Sequence, residues 1–344
     1  MFIKGKSVVG LDVGSNSLKA VELTKGGHGV EVTGFAQIDL PSEDPDARTE
    51  AVIQLIKECG FKTKRVATGV SGRAVTVRYL DMVRMDEDEL RHAIRFEAEK
   101  FVPTSLDECV LDCQALDAAG DDVNGEVKVL LVAVEKTRVD ELIKTVQKAG
   151  VTPDVVDVDA FALTNAWCLF TEQGGGLVEG EGGAVALVDV GASKTTVSIV
   201  KNGVSVFTRE IYLGGNDLTE AVARGMALDH VQAETLKRCP GEQIEQVKDA
   251  VFPVLDDIGN ELQLSFDYFE GQNDVTIDRI LVCGGGSRLV FFQESLEKIC
   301  EKPVEVFNPF ECIPVSADMD HEILAQGGPQ MAVAVGLAAR LGAN

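Results

Sequence analysis

At 344 residues the chain is long enough to bury most of its apolar surface, in two domains or one large split domain, without disulfide or metal staples. Hydrophobic residues make up 45% and charged residues 26%, an ordinary globular balance, while 56 acids against 32 bases leave a net charge of −24. Such a surface repels a nucleic-acid backbone and anionic lipid, and a bound nucleotide would need local positive charge, for which a divalent cation is the usual device.

Lys4 and Lys6 precede an apolar stretch that Asp12 soon interrupts, so no signal peptide is read there, and no run approaches a membrane span. A cytoplasmic protein that reaches a membrane only through a partner is expected. The eight cysteines are scattered, and Cys109 with Cys113, the one close pair, lacks the second half of a metal site. Reduced, mostly buried thiols fit that pattern.

The most informative feature is a repeat. Residues 8–23 read VVGLDVGSNSLKAVEL and residues 185–200 read VALVDVGASKTTVSIV. Each predicts an apolar strand, an Asp-Val-Gly turn with small polar residues, and a second strand, hence a β-hairpin with a tight polar tip. Gly14 and Gly191 let the backbone turn sharply. Successive N–H groups at Ser15, Asn16 and Ser17, and at Ala192, Ser193 and Lys194, can converge on phosphate oxygens. Asp12 and Asp189, at equivalent strand ends, can hold a hydrated Mg²⁺. One copy alone reads as an ordinary polar turn; two matching copies favour a clamp on a triphosphate.

Between the copies, residues 79–116 predict an amphipathic helix and a strand. Asp86 with Glu89 makes a helix cap, Leu90, Ile94 and Phe101 recur at helical spacing, and Pro103 ends the helix. Two strands and a helix follow at about 108–116, 127–135 and 137–149. Residues 159–171 (DAFALTNAWCLFT) form a helix with Ala162 and Ala166 four apart, and the glycine-rich stretch from Gly174 to Gly183 reads as an inter-domain link. After the second copy, IYLGGNDLT carries Gly214 and Gly215 ahead of a helix, and Glu234 and Lys237 share one helix face. Residues 278–289 (DRILVCGGGSRL) place Gly284, Gly285, Gly286 and Ser287 after a buried strand, a loop against which a base or ribose can lie. A last helix is expected over 328–341, with Pro329 in its first turn and Ala332 and Gly336 four apart.

These segments occur in the order found in the actin/Hsp70/sugar-kinase superfamily, and the resemblance covers nearly the whole chain. GLDVGSNSLKAVEL resembles the first phosphate loop, where a lysine at the place of Lys19 touches phosphates; ALVDVGASKTT resembles the second; LGGNDLT with AETLKR resembles the segment whose Glu and Lys, here Glu234 and Lys237, contact the nucleoside; VCGGGSRL resembles the adenosine loop. The stretch LRHAIRFEAEKFVPTSLDECVLDCQAL resembles the signature of the type IV pilus assembly protein PilM family. The resemblance implies an α/β, actin-like (ribonuclease H-like, duplicated) ATPase fold with an inserted FtsA-type α+β subdomain. It implies a first domain at 1–80 plus 156–180, the insertion at 81–155, a second domain at 181–327 with a smaller helical portion at 216–277, and a connecting helix at 328–344 returning to the first domain. Each main domain is expected to hold a mixed five-stranded sheet.

The resemblance further implies ATP (or ADP) and Mg²⁺ as cofactors, and docking of the cytoplasmic N-terminal tail of the membrane protein PilN, with other inner-membrane pilus proteins, around Ile94, Ala98, Phe101, Val102 and Pro103. For a water-positioning residue only Asp157 and Asp159 offer themselves, and neither sits in a recognisable motif. Two alternatives share the fold: an FtsA-like division or filament protein, against which the stop at Ala343–Asn344 argues, and a small-molecule kinase, whose acceptor-binding insertions are missing.

Overall fold

The computed structural model describes residues 6–27, 29–40, 44–116, 125–175, 183–317, 319 and 321–340. Most of the expected inter-domain link, residues 176–182, and the C-terminal Ala343–Asn344 lie outside them. The first sheet joins β1 (Lys6–Val13), β2 (Ser17–Gly26), β3 (Gly29–Asp39), β4 (Arg65–Val70) and β8 (Thr152–Val158) in the order β3-β2-β1-β4-β8. The second joins β9 (Ala184–Val190), β10 (Thr195–Lys201), β11 (Val204–Ile211), β12 (Ile277–Cys283) and β13 (Val304–Val306) in the order β11-β10-β9-β12-β13. In both, the central strand pairs antiparallel with the next strand and parallel with the fourth member. The internal repeat therefore extends from the two turns to the whole of each sheet.

Helices fill the faces according to the two-residue period of the strands. Val9 and Leu11 point to one side of the first sheet, where α1 (Pro45–Glu58) and α3 (Lys136–Lys148) bury Val52, Leu55, Leu142 and Val146. Val8, with Val185 and Leu187 of the second sheet, points into a central core with α4 (Asp159–Glu172) and α10 (Ala332–Ala338). Ala184, Ala186 and Val188 face outward onto α5 (Gly215–Met226), α7 (Ile244–Asn273) and α8 (Phe292–Cys300). Because β9 meets helices on both sides, it reads as a continuous apolar run rather than an alternating one.

The third sheet, β5 (Val75–Val83), β7 (Glu126–Glu135) and β6 (Cys109–Ala115) in the order β5-β7-β6, is capped by α2 (Glu87–Ala98). This sheet starts at Val75, ahead of the expected bound at 81. α3 and the first residues of β8, expected inside an insertion at 81–155, instead belong to the first layer, because β8 runs parallel to β4 and α3 buries its apolar face beside α1. The closing helix is also shorter than expected: Gly328–Met331, Pro329 included, forms a 3₁₀ turn, and α10 covers Ala332–Ala338. The turn is held in place where Gly284 N–H donates to the Pro329 carbonyl at 2.9 Å.

The small residues of α4 and α10 do meet. A Cβ on Gly336 would lie 1.6 Å from the Ala162 carbonyl oxygen, and one on Gly10 of β1 would lie 1.9 Å from that of Ala334. Only glycine permits this sandwich of β1, α10 and α4. Gly336→Ala is therefore expected to lower the unfolding free energy by about 1–3 kcal/mol or more. The control is Gly271→Ala near the end of α7, where a Cβ meets open space; it is expected to stabilise by about 0.5–1 kcal/mol. Urea unfolding of both variants checks the pair.

Candidate functional site

The two hairpins end against each other. In the first, the register places Asp12 opposite Lys19, and Lys19 Nζ donates to Asp12 Oδ2 at 2.9 Å. In the second, Gly191 N–H donates to the Lys194 carbonyl at 2.9 Å, closing the turn. The first turn of α5 packs onto this tip, with Gly215 N–H bound to Gly191 O at 2.9 Å and Asn216 N–H to Ala192 O at 2.8 Å. A Cβ on Gly214 would lie 2.8 Å from both Gly191 O and Ala192 O, so the approach needs a bare backbone. Across the gap, the hydroxyls of Ser15 and Ser193 share a hydrogen bond of 2.8 Å, and Asn16 Nδ2 donates to Asn216 Oδ1 at 2.7 Å.

Behind this contact lies a cleft of about 570 Å³ lined from both sheets. It gathers Asp12, Gly14, Ser15, Asn16, Ser17 and Lys19 from the first hairpin, and Asp189, Gly191, Ala192, Ser193 and Lys194 from the second. Asp159, Gly215, Glu234, Lys237, Gly284, Gly285 and Gly286 complete the expected set within it. Three expected residues stand outside the lining. Gly214 caps α5 behind the second tip, and Ser287 is buried with its hydroxyl donating to Gly284 O at 2.8 Å. Asp157 points away: it lies 3.5 Å from Arg340 and accepts from Asn165, so it ties the end of β8 to α4 and to the turn that follows α10.

Three carboxylates and two lysines thus crowd one buried point. Burial raises the Asp159 carboxyl to about 6; Lys194 opposes this, Asp12 adds to it and a hydrogen bond from Ser71 opposes it. Burial also raises the Asp189 carboxyl, with Lys19 pulling it down and Asp12 pushing it up. Burial opposes the charge of Lys19, but Asp12, Asp189 and Asp159 outweigh it and hold the ammonium above its ordinary range. Among the described residues no three His, Cys, Asp or Glu side chains sit close enough to ligate a metal directly. Asp12 and Asp189 suit a cation that keeps its own waters.

Every lysine in the cleft already has an acidic partner. Lys194 pairs with Glu210, whose Oε1 also accepts from Gly72 N–H at 2.9 Å and whose Oε2 accepts from the Tyr212 hydroxyl at 3.1 Å. Lys237 pairs with Glu234 at 2.7 Å and donates to Gly215 O at 2.8 Å. Burial works against the Glu234 charge, yet hydrogen bonds from Lys237 and Thr219 hold its carboxyl down to about 2. Arg48, Ser71, Gly72, Arg138 and Tyr212 also line the cleft. Sequence reasoning missed them, because no local pattern marks them and only the topology of the sheet brings them to this edge. Arg48 carries the one buried side-chain polar atom without a hydrogen-bond partner among the described residues, its Nε. An unsatisfied buried donor of this kind costs about 1–3 kcal/mol.

The expected partner residues divide. Ile94 and Ala98 are buried with Leu90 against Val127, Val129 and Leu131, so their four-residue spacing builds the core of the third sheet, and they are unavailable to a partner. Phe101 and Val102 are half-buried and Pro103 is exposed just beyond the helix. The Arg78 guanidinium lies 5.8 Å from the Phe101 ring centre. On the opposite face of α2, Phe96 is 72% exposed.

A family model described as type IV pilus assembly protein PilM matches residues 10–341. Among solved structures, the chain is similar to the PilM-PilN type IV pilus biogenesis complex, with a TM-score of 0.85 and 29% identity over 97% of this chain and 98% of that one. It shares the fold of the ethanolamine utilization protein EutJ from Carboxydothermus hydrogenoformans, with a TM-score of 0.59 and 15% identity over 98% and 90% of the two chains. It is also similar to the cell division protein FtsA of Bacillus subtilis, 21% identical over 86% of this chain and 67% of that protein.

The raised Asp159 carboxyl makes a stability prediction. In the folded protein it titrates near 6, against an ordinary 3.8, so the native state binds more protons in that window and loses stability as pH rises through it. Asp159→Asn is expected to stabilise the protein by about 1–3 kcal/mol at pH 8, and by less at pH 5. Urea unfolding without nucleotide or divalent cation measures this, and a variant less stable than wild type at pH 8 contradicts the assignment.

Proposed function

The chain belongs to the type IV pilus assembly protein PilM family, and from that premise we propose that it binds ATP or ADP with Mg²⁺ and passes the state of its cleft to a docked tail of a PilN-type membrane protein. The observation that carries the reading is the meeting of two glycine-turned, aspartate-based tips, 2.8 Å apart at Ser15 and Ser193. The cleft fits a triphosphate on its own terms. Each tip offers bare backbone, since a Cβ on Gly14 would lie 2.8 Å from Ser17 O and one on Gly191 would lie 2.9 Å from Lys194 O. Lys19 and Lys194 stand beside those turns, and exchanging their carboxylate partners for phosphate oxygens would leave each ammonium paired. The glycines at 284–286, with Glu234 and Lys237, form the nucleoside end. Mg²⁺ held through water by Asp12 and Asp189 would supply the positive charge that a −24 chain otherwise lacks.

Coupling to the partner follows from Glu210. It accepts at once from Lys194 of the second tip and from Gly72 of the loop that opens the third sheet. Next to Gly72, the Arg73 guanidinium stacks over the Tyr212 ring at 5.0 Å, and Tyr79 of β5 shares a hydrogen bond of 2.9 Å with Ser205 of β11. A phosphate that draws Lys194 away would alter this latch, and β5 would carry the change toward Phe101, Val102 and Pro103, where the tail docks. The nucleotide acts only through its differential affinity for the latched and unlatched arrangements.

Among the described residues no helix is long and apolar enough to cross a membrane. In the proposed reading a PilN-type partner brings the protein to the inner face of the membrane. The likeness to FtsA favours a second reading, a filament-forming protein, which sedimentation with ATP and Mg²⁺ separates from the first.

Two titrations test the proposal. Asp12→Ala is expected to weaken MgATP binding at least about tenfold, roughly 1.4 kcal/mol, and to change the affinity for a PilN-type tail peptide measured with ATP present. Loss of ATP binding with unchanged tail affinity removes the coupling. Chelating Mg²⁺ is expected to weaken ATP binding to wild type by a similar factor in calorimetry.

A further inference from the structure

The elements around the first tip carry two arginines that neither hairpin explains. α1 leads into β4 and α3 leads into β8, each through a short connection. Both helices therefore run antiparallel to those parallel strands, and their first turns lie at the strand ends from which Ser71 and Asp159 also emerge. Arg48 sits in the first turn of α1 and Arg138 in that of α3, and both line the cleft. The two helices share one apolar core, with Val52 and Leu55 of the first beside Leu142 and Val146 of the second, so their N-termini lie on the same side of the first sheet.

The electrostatics of the two side chains differ from those of the lysines. Each cleft lysine is neutralised by a carboxylate, but among the described residues Arg48 has no carboxylate within ion-pair distance, and its buried Nε–H meets no acceptor. Arg138 keeps only a 3.8 Å contact with Glu141. The first turn of α3 lacks a side-chain cap, so its free N–H groups add to the same positive field. Asp39 lines the cleft too, but has no ion pair with either arginine. In a chain of net charge −24, one unpaired and one loosely paired guanidinium group facing one cavity call for an anion.

The residues at the nucleoside end, Glu234, Lys237 and Gly284 to Gly286, all come from the second sheet and its helices, whereas Arg48 and Arg138 come from the first. We propose that Arg48 and Arg138 form a phosphate subsite that takes the phosphoryl group farthest from the nucleoside, either the terminal phosphate of a bound triphosphate or free inorganic phosphate beside a diphosphate. This inference rests on reading the cleft as a nucleotide site. The guanidinium of Arg48 gives its orphaned Nε–H to a phosphate oxygen, and Arg138 adds a second charge from across the helix pair. The subsite makes the cleft discriminate between triphosphate and diphosphate, which Lys19 and Lys194 alone do not ensure.

The test is calorimetry of wild type, Arg48→Gln and Arg138→Gln with Mg²⁺ and either the non-hydrolysable triphosphate AMPPNP or ADP. Both variants are expected to lose at least about tenfold in affinity for AMPPNP while ADP affinity changes by less than about twofold. Retained ADP binding also shows that each variant is folded, and Arg138, half-exposed and with no orphaned buried atom, serves as the variant less tied to folding. Equal losses for the two nucleotides, or no loss for AMPPNP, overturn the subsite and leave the nucleotide site standing. A wild-type protein that binds neither nucleotide removes both. Inorganic phosphate titrated into the wild-type ADP complex separates the sources: heat that vanishes in Arg48→Gln shows that free phosphate occupies the subsite, and no heat shows that it reads only an attached phosphoryl group.

Discussion

Two polar hairpin tips can share one cleft only if the sheets behind them are held at a fixed separation, and the crossing of α10 between β1 and α4 sets it. Gly10 meets Ala334 and Gly336 meets Ala162, and at both glycines the approach is closer than a β-carbon allows. The central core that grows from this crossing takes residues from both sheets, Val8 and Ala67 from one and Val185, Leu187 and Leu281 from the other. Packing is therefore what positions the chemistry. If that separation changed, the hydrogen bond between Ser15 and Ser193 could not form, and Asp12 and Asp189 would no longer address the same volume.

That positioning carries an electrostatic cost. Asp12, Asp159 and Asp189 are brought together with burial working against the charge of the last two, and the nearby lysines relieve the strain only in part. Perturbed carboxyl groups gathered in a cleft mark it as a candidate functional site. The incompletely matched charges are of both signs, carboxylates at the strand ends and guanidinium groups on the flanking helices, which is the pattern a magnesium-complexed polyphosphate would satisfy from both sides. Glu210 connects this balance to the rest of the molecule, since one carboxylate oxygen serves both the second tip and the loop leading to the third sheet.

Much of this was legible in the residues alone, for identifiable reasons. The repeat of Asp-Val-Gly within two apolar strands located both tips, because a tight turn with bare backbone restricts the choice of residue at each position. The small residues of the two connecting helices were visible as a four-residue spacing, although that spacing alone did not show that they met. Other features were hidden. Ile94 and Ala98 carry the same periodicity whether they line a groove or fill a core, and only the strands packed beneath α2 decide in favour of the core. Asp157 and Asp159 are two residues apart, yet a strand end and a helix start send one to Arg340 and the other into the cleft. Arg48 has no local signature at all, since its significance depends on where the topology puts the first turn of α1. The bounds of the inserted sheet shifted because strand pairing, and not composition, assigns β5 and β8 to their sheets.

The central claim is that the two tips grip one polyphosphate between them. A crystal structure of the protein grown with AMPPNP and Mg²⁺ tests it most directly. The account predicts phosphate density bounded by the backbone of residues 14–17 on one side and 191–194 on the other, with the cation between Asp12 and Asp189 and the base against Gly284 to Gly286. Nucleotide bound elsewhere, or contacted by only one tip, would contradict it.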